Sequence, residues 1–123
     1  MKANELRIGN YVEVFVSFCL IKEEQVIDIM CDSINTKSHE NMTFDYIEPI
    51  PLTEEWLNRF GFRKSGIYWF DSHDELLSYS FKKNTIAIGR MGIYFENKIH
   101  YVHQLQNLYF ALTGEELEYD HLK

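Results

Sequence analysis

Apolar and polar residues alternate early in the chain: Val12, Val14, Val16 and Phe18 fall on one face of "NYVEVFVSF", behind a Gly9-Asn10 turn signal. A period of two marks a strand with one buried face. "KEEQ" reads as a polar turn, "VIDIM" as a further strand with Val26 or Ile27 facing inward, and "SINTK" as another after Cys31-Asp32. "MTFDYIEPI" adds one more, which Pro49 ends or confines to an edge because proline has no N–H for the ladder. Several short strands in so few residues predict a small bent sheet or a barrel-like unit.

The period then changes. In "PLTEEWLNRFGF" Thr53 can cap a helix over 53–60, Glu54 and Glu55 complement its positive end, and Gly61 can take the left-handed C-terminal position. Leu52 and Leu57 have the spacing of a hydrophobic staple, and Trp56 and Phe60 share a face. Next come "GIYWF", "ELLSYSFKK", "TIAIGR" and "GIYFE", separated by "DSHD", "KKN" and "RMG". Such short connections predict an antiparallel meander, with Gly89 and Gly92 leaving open a bulge in one long strand.

The segment "IHYVHQLQNLYFALTG" predicts a C-terminal helix over 100–113. Tyr101, Leu105, Leu108 and Leu112 form a helical stripe with Val102 and Tyr109 beside it, and Gly114 stands as the C-cap. His103, Gln104, Gln106 and Asn107 then face solvent or a partner, and Phe110 on that side offers an apolar anchor. The expected fold is one α+β domain over 1–123: a strand-rich part over 1–50, then helix, meander and a helix packed on the sheet over 51–123.

With 46% hydrophobic and 15% aromatic residues in 123, the chain can build a core without disulfides. Cys19 and Cys31 lack C-x-x-C spacing and read as two reduced, mostly buried thiols, a bridge between them staying open. "MKANELRIGN" has no apolar leader run, and "YVEVFVSFCLI" is too short to span a bilayer and carries Glu13. A cytoplasmic protein that engages no membrane is expected. The net charge of −7 argues against long nucleic acids as partners. Its distribution is uneven, with −7 over residues 1–56, +3 over 57–100 and −3 over 101–123.

Candidate chemistry is sparse. His100 and His103 have a metal-ligand offset, but no third ligand is signalled, and His39, His73 and His121 sit in unrelated polar contexts. "DSHDE" over 71–75 sets acids beside His73, an arrangement that polar turns also use. No phosphate loop, nucleophile elbow or dinucleotide fingerprint occurs. No catalytic residue, metal or cofactor is therefore assigned. The basic middle offers Arg59, Arg63, Lys64, Lys82, Lys83, Arg90 and Lys98, with Tyr68, Tyr79 or Tyr94 for stacking, provided that the meander gathers several of them; Arg63, Lys64, Arg90, Lys98, Tyr68 and Tyr94 are the assigned ligand-binding set. Hairpin lysines that guard sheet edges are the competing explanation. His103, Asn107 and Phe110 form a partner-binding set.

The stretches "ELRIGNYV", "PIPLTEEWLNRFGF" and "IHYVHQLQNLYFALTGEEL" resemble a group of small proteins of no assigned activity found in Bacteroidetes genomes and their phages or prophages. The resemblance spans start, middle and end of the chain and carries no residue role. It implies a non-enzymatic accessory protein of a mobile element that binds a host protein, with counter-defence as one setting. A sponge for a nucleotide immune signal is the first alternative. A small metal-dependent hydrolase or nuclease using His73 or His100 and His103 is the second, and a homo-oligomer stays open.

Overall fold

A computed structural model describes residues 1–17, 20–71, 76–89 and 94–120. A 3-10 turn at Ala3–Glu5 precedes β1 (Tyr11–Ser17), β2 (Leu20–Ile29), β3 (Ser33–Thr36) and β4 (Met42–Thr43). A second 3-10 turn, Phe44–Tyr46, leads into β5 (Ile47–Glu48), and α1 (Glu54–Arg59) follows. The chain continues through β6 (Arg63–Ser65), β7 (Tyr68–Phe70), β8 (Leu77–Ser80), β9 (Thr85–Ile88) and β10 (Tyr94–Glu96) to α2 (Val102–Thr113). The described strands form two antiparallel five-stranded sheets, ordered β4-β3-β2-β1-β5 and β10-β9-β8-β7-β6, so the class is α+β as the pattern predicts. Among the described residues no helix is long and apolar enough to cross a membrane.

Contacts divide the chain into two compact units, Met1–Pro51 with Tyr101–Glu116, and Leu52–His100 with the residues from Leu117 onward. The C-terminal helix therefore belongs with the strand-rich part, a return that the 51–123 grouping does not anticipate.

In the first unit the sheet is open, with β4 and β5 at its edges, so the described strands close no barrel. Leu6, Val12, Val14, Val26, Ile34 and Ile47 form its core. "KEEQ" is not a turn: it lies inside β2, with Glu24 opposite Val12 and Gln25 opposite Tyr11. Glu24 is buried there because partners from the next hairpin reach it, the Thr36 hydroxyl at 3.3 Å and His39 Nδ1 at 2.6 Å. The pairing steps from Val26↔Thr36 to Asp28↔Asn35, so Ile27 is an extra residue on β2. This bulge resets the alternation, burying Val26, turning Ile27 out at 48% exposure and pairing Ile29 with the buried Ile34. The predicted face of β1 includes Phe18, which lies outside the described residues.

α2 docks on this unit through amides. Its buried residues are Val102, His103, Leu105, Gln106 and Tyr109, a face rotated from the predicted stripe toward His103 and Gln106, and Tyr101 and Leu112 are 37% and 39% exposed. The reason is Gln106, whose Oε1 accepts the Tyr11 N–H at 2.9 Å and whose Nε2 donates to the Gly9 carbonyl at 3.0 Å. The side chain thus acts as a neighbouring strand would for the start of β1. Asn10, fully buried, donates to Asn107 Oδ1 at 2.8 Å and accepts the Arg7 N–H at 2.7 Å, while Asn107 donates to the Glu5 carbonyl at 3.1 Å. Gly114, at φ 74°, ends the helix as its position predicts.

In the second unit α1 begins as predicted, the Thr53 hydroxyl accepting the Trp56 N–H at 3.4 Å, and Gly61 follows at φ 86°. Trp56, Phe60 and Tyr119 cluster, with the Trp56 and Tyr119 rings 4.7 Å apart. The meander is present. β9 and β10 pair as separate antiparallel strands, Tyr94 opposite Ala87, which excludes one long bulged strand. β6 was not expected, and β8 ends at Ser80, which releases Phe81 into a turn. The register puts Lys64, Trp69, Tyr79, Ile86 and Phe95 on one face, with Trp69, Tyr79 and Ile86 buried.

Two outcomes are expected. Leu105→Ala should cost about 2–5 kcal/mol and Gln106→Leu about 1–3 kcal/mol, the latter by stranding the Tyr11 N–H, while Leu112→Ala should cost much less. Denaturant midpoints that rank Leu112 with Leu105 would restore the predicted stripe. Glu13 stands directly opposite both Glu23 and Glu48, a row of like charges across β2, β1 and β5. Glu13→Gln should therefore stabilise the protein by about 0.2–1 kcal/mol, with the gain shrinking as salt is added. A gain independent of ionic strength would exclude repulsion as its cause.

Candidate functional site

Two neighbouring hairpin turns shape the end of the second sheet. Ser65 pairs with Tyr68, leaving Gly66 and Ile67 as a two-residue turn, and Gly66 takes φ 64° at its first position. Such a turn needs glycine there for the conformation, not for space, since nothing lies within 4 Å of where its Cβ would stand. Ser80 pairs with Thr85, so Phe81, Lys82, Lys83 and Asn84 form the second turn, held by Asn84 at φ 51° and by the Lys83 N–H on the Ser80 hydroxyl at 3.1 Å. β7 and β8 are antiparallel, which brings both turns to the same end.

Between them, with the first turn of α1, lies a cleft of about 380 Å³. Trp69 forms its floor, Phe81 and Ile67 supply apolar wall, and Lys64, Lys82 and Glu54 bring charge. Lys64 Nζ stands 3.5 Å from Glu54 Oε1 and 5.9 Å from the centre of the Trp69 ring. Both partners of that ion pair are about half exposed, at 51% and 57%, so the pair is weak and exchangeable. Phe81 is 39% exposed, and its ring meets Tyr79 edge-on at 4.8 Å.

Tyr79 is itself fixed. Its hydroxyl donates to the Ile99 carbonyl at 2.7 Å and accepts from Asn97 Nδ2 at 2.5 Å, while Asn97 Oδ1 accepts the Ile99 N–H at 2.8 Å. Burial pushes the Tyr79 phenol above its ordinary value, and the Asn97 hydrogen bond opposes this in part. The phenol stays protonated at neutral pH. The Phe81 ring therefore packs against a hydrogen-bonded support and stays partly exposed.

The expected ligand-binding set is divided by this geometry. Lys64 lies in the cleft. Arg63 sits at the far end of β6 opposite Phe70, Tyr68 contacts Phe70 and Lys83 on the opposite face, and Lys98 pairs with Glu96 at 3.6 Å. Tyr94 is on β10, the edge opposite β6, four strand spacings or about 19 Å away. Arg90, His73 and Cys19 lie outside the described residues, and Cys31 is exposed rather than buried as expected, since it follows the end of β2 at the turn into β3. Lys82 is among the basic candidates but outside the assigned set, and Phe81 and Trp69 are in neither. Only the strand limits at Ser65 and Ser80 reveal that they meet.

The expected partner set is also redistributed. Asn107 is engaged in the amide network, and Phe110 lies under the Arg7 guanidinium at 4.1 Å from its ring centre. Arg7 is held in turn by Glu116 and the Gln106 carbonyl. His103 is buried, stacks on Tyr101 at 6.0 Å, and leaves Nδ1 without a hydrogen-bond partner. Burial pulls its pKa below the ordinary 6.5, a shift that the charge of Glu5 partly opposes. His100 precedes the first residue of α2, so the two histidines do not share a helical face. Among the described residues no three His, Cys, Asp or Glu side chains stand close enough to hold a metal ion.

Fold and site together define an α+β protein of two antiparallel sheets with a basic, aromatic cleft at one sheet end. Comparison with protein-family models, curated proteins and solved structures finds no match.

His103 makes a pH prediction. The unfolded chain takes up its proton near pH 6.5 and the folded chain only at lower pH, so its contribution is complete above 6.5 and declines as the pH falls below that value. His103→Leu should flatten the stability profile in this window relative to the parent protein. Parallel profiles for the two proteins would show that His103 titrates alike in both states.

Proposed function

We propose that the protein is a non-enzymatic binding protein, which sequesters a small phosphate-bearing nucleotide in the cytoplasm of a cell invaded by a mobile element. One observation carries the reading: Lys64 and Lys82 meet an exposed aromatic ring, Phe81, above Trp69 in a single concave site. Cations beside a stacking surface are the usual elements of nucleotide recognition. The sequence ranks a host-protein target first, on scattered cations and on Phe110 as an anchor. In the folded chain two of those cations converge, and one side of Phe110 is occupied by Arg7. Support for the host-protein reading now comes from exposed Ile8 and Tyr46, at 56% and 55%, in the first unit. The mobile-element setting, with counter-defence as the role, rests on the resemblance of the chain to Bacteroidetes and phage proteins.

A thermal-shift screen of mononucleotides, cyclic dinucleotides and ADP-ribose derivatives tests this. A ligand of the folded state should add about 2.7 kcal/mol of stability at a hundredfold excess over its Kd. Lys82→Ala should remove the shift while leaving the unliganded melting point in place, because Lys82 is an exposed turn residue. A silent screen, with one host protein co-purifying in stoichiometric amount, would favour the protein target.

A further inference from the structure

The charge and size of the cleft narrow its ligand. Lys64 and Lys82 oppose Glu54 within about 380 Å³, a volume at the lower end of the range for ligand pockets. There is room for one base, one sugar and one phosphate, and a dinucleotide would leave half of itself outside. Two ammonium groups also match a particular phosphate. A terminal phosphomonoester carries nearly two negative charges at neutral pH, whereas a phosphodiester carries one.

We infer that the cleft takes a single nucleoside 5′-monophosphate, its base on Phe81 and its phosphate between Lys64 and Lys82, with Glu54 as the resident counter-ion that the phosphate displaces from Lys64. The inference rests on the nucleotide-binding reading and specifies the ligand. Glu54 and Lys64 are both half exposed at a 3.5 Å contact, so the carboxylate can swing into water when a stronger anion arrives. Glu54 is the first residue of α1, where an acid also favours the positive helix end, so it has a place to return to. The successive lysines of the turn diverge. Lys82 lines the cleft, and Lys83 lies 5.8 Å from the Tyr68 ring on the opposite face. The stacking ring needs no ordering on binding, because Tyr79, Asn97 and Ile99 hold its support.

Isothermal titration separates the parts. The probes are AMP, GMP, CMP and UMP, with adenosine, inorganic phosphate, 3′,5′-cyclic AMP and a cyclic dinucleotide alongside. At least one monophosphate should bind, and binding should strengthen as the pH rises through about 6, where the second phosphate proton leaves. Glu54→Gln should tighten it about fivefold by removing the competing anion. Phe81→Ala and Lys82→Ala should each weaken it about tenfold or more, with the unliganded melting point as the check on folding. Inorganic phosphate binding as well as the monophosphates would overturn the role of Phe81. A cyclic dinucleotide binding more tightly than every monophosphate, in a Lys82-dependent way, would overturn the inference and leave the sequestering reading standing. An unchanged affinity in Glu54→Gln would remove Glu54 from its role. No binding by any nucleotide, to the parent protein or to Glu54→Gln, would overturn both the inference and the reading beneath it.

Discussion

The first unit depends on one side-chain amide. Gln106, 1% exposed, bonds the Tyr11 N–H and the Gly9 carbonyl on the side of β1 where β5 pairs only from Glu13 onward, and so fixes which face of α2 is buried. Asn10 and Asn107 extend the contact to the backbone of Glu5 and Arg7. A buried polar network is costly when half satisfied and rigid when complete. Here each amide meets a complementary group, so hydrogen bonding, rather than apolar area alone, sets the helix rotation. That rotation brings Phe110 beneath Arg7 and buries His103.

The second unit is organised around a different polar centre. Tyr79 lies in the middle strand of the sheet and reaches the segment after β10 through its hydroxyl, joining Asn97 and Ile99. This bond spans twenty residues of chain and links the sheet interior to the cleft rim through the Phe81 ring. Support and cleft wall are therefore continuous. An exposed aromatic is useful for binding only if its orientation is set in advance, and here the core does that.

Some of this was legible in the chain. The Thr53 cap, the acidic first turn of α1, the Gly114 C-cap and the meander are local, each decided by residues within a few positions of one another. The register of β2 was not legible. "KEEQ" is polar enough for a turn, and what holds Glu24 inside a strand is Thr36 and His39 on the next hairpin. The cleft was half legible: lysines and aromatics were visible as ingredients, and their grouping was not. Five strands in meander order send Arg63 and Tyr94 to opposite edges while two turns bring Lys64, Lys82 and Phe81 together.

By itself, the sequence determined the α+β class, the helix at Thr53, and the existence of the C-terminal helix and its stop. These follow from periodicity and capping, which are properties of neighbouring residues. Only the tertiary structure decided which helix face is core, that a bulge turns Ile27 outward, and which cations share a site. The physical reason is the same in each case. A polar side chain is buried or exposed according to whether a partner far along the chain satisfies it, and the separation of 95 positions from Tyr11 to Gln106 places that partner beyond any local pattern.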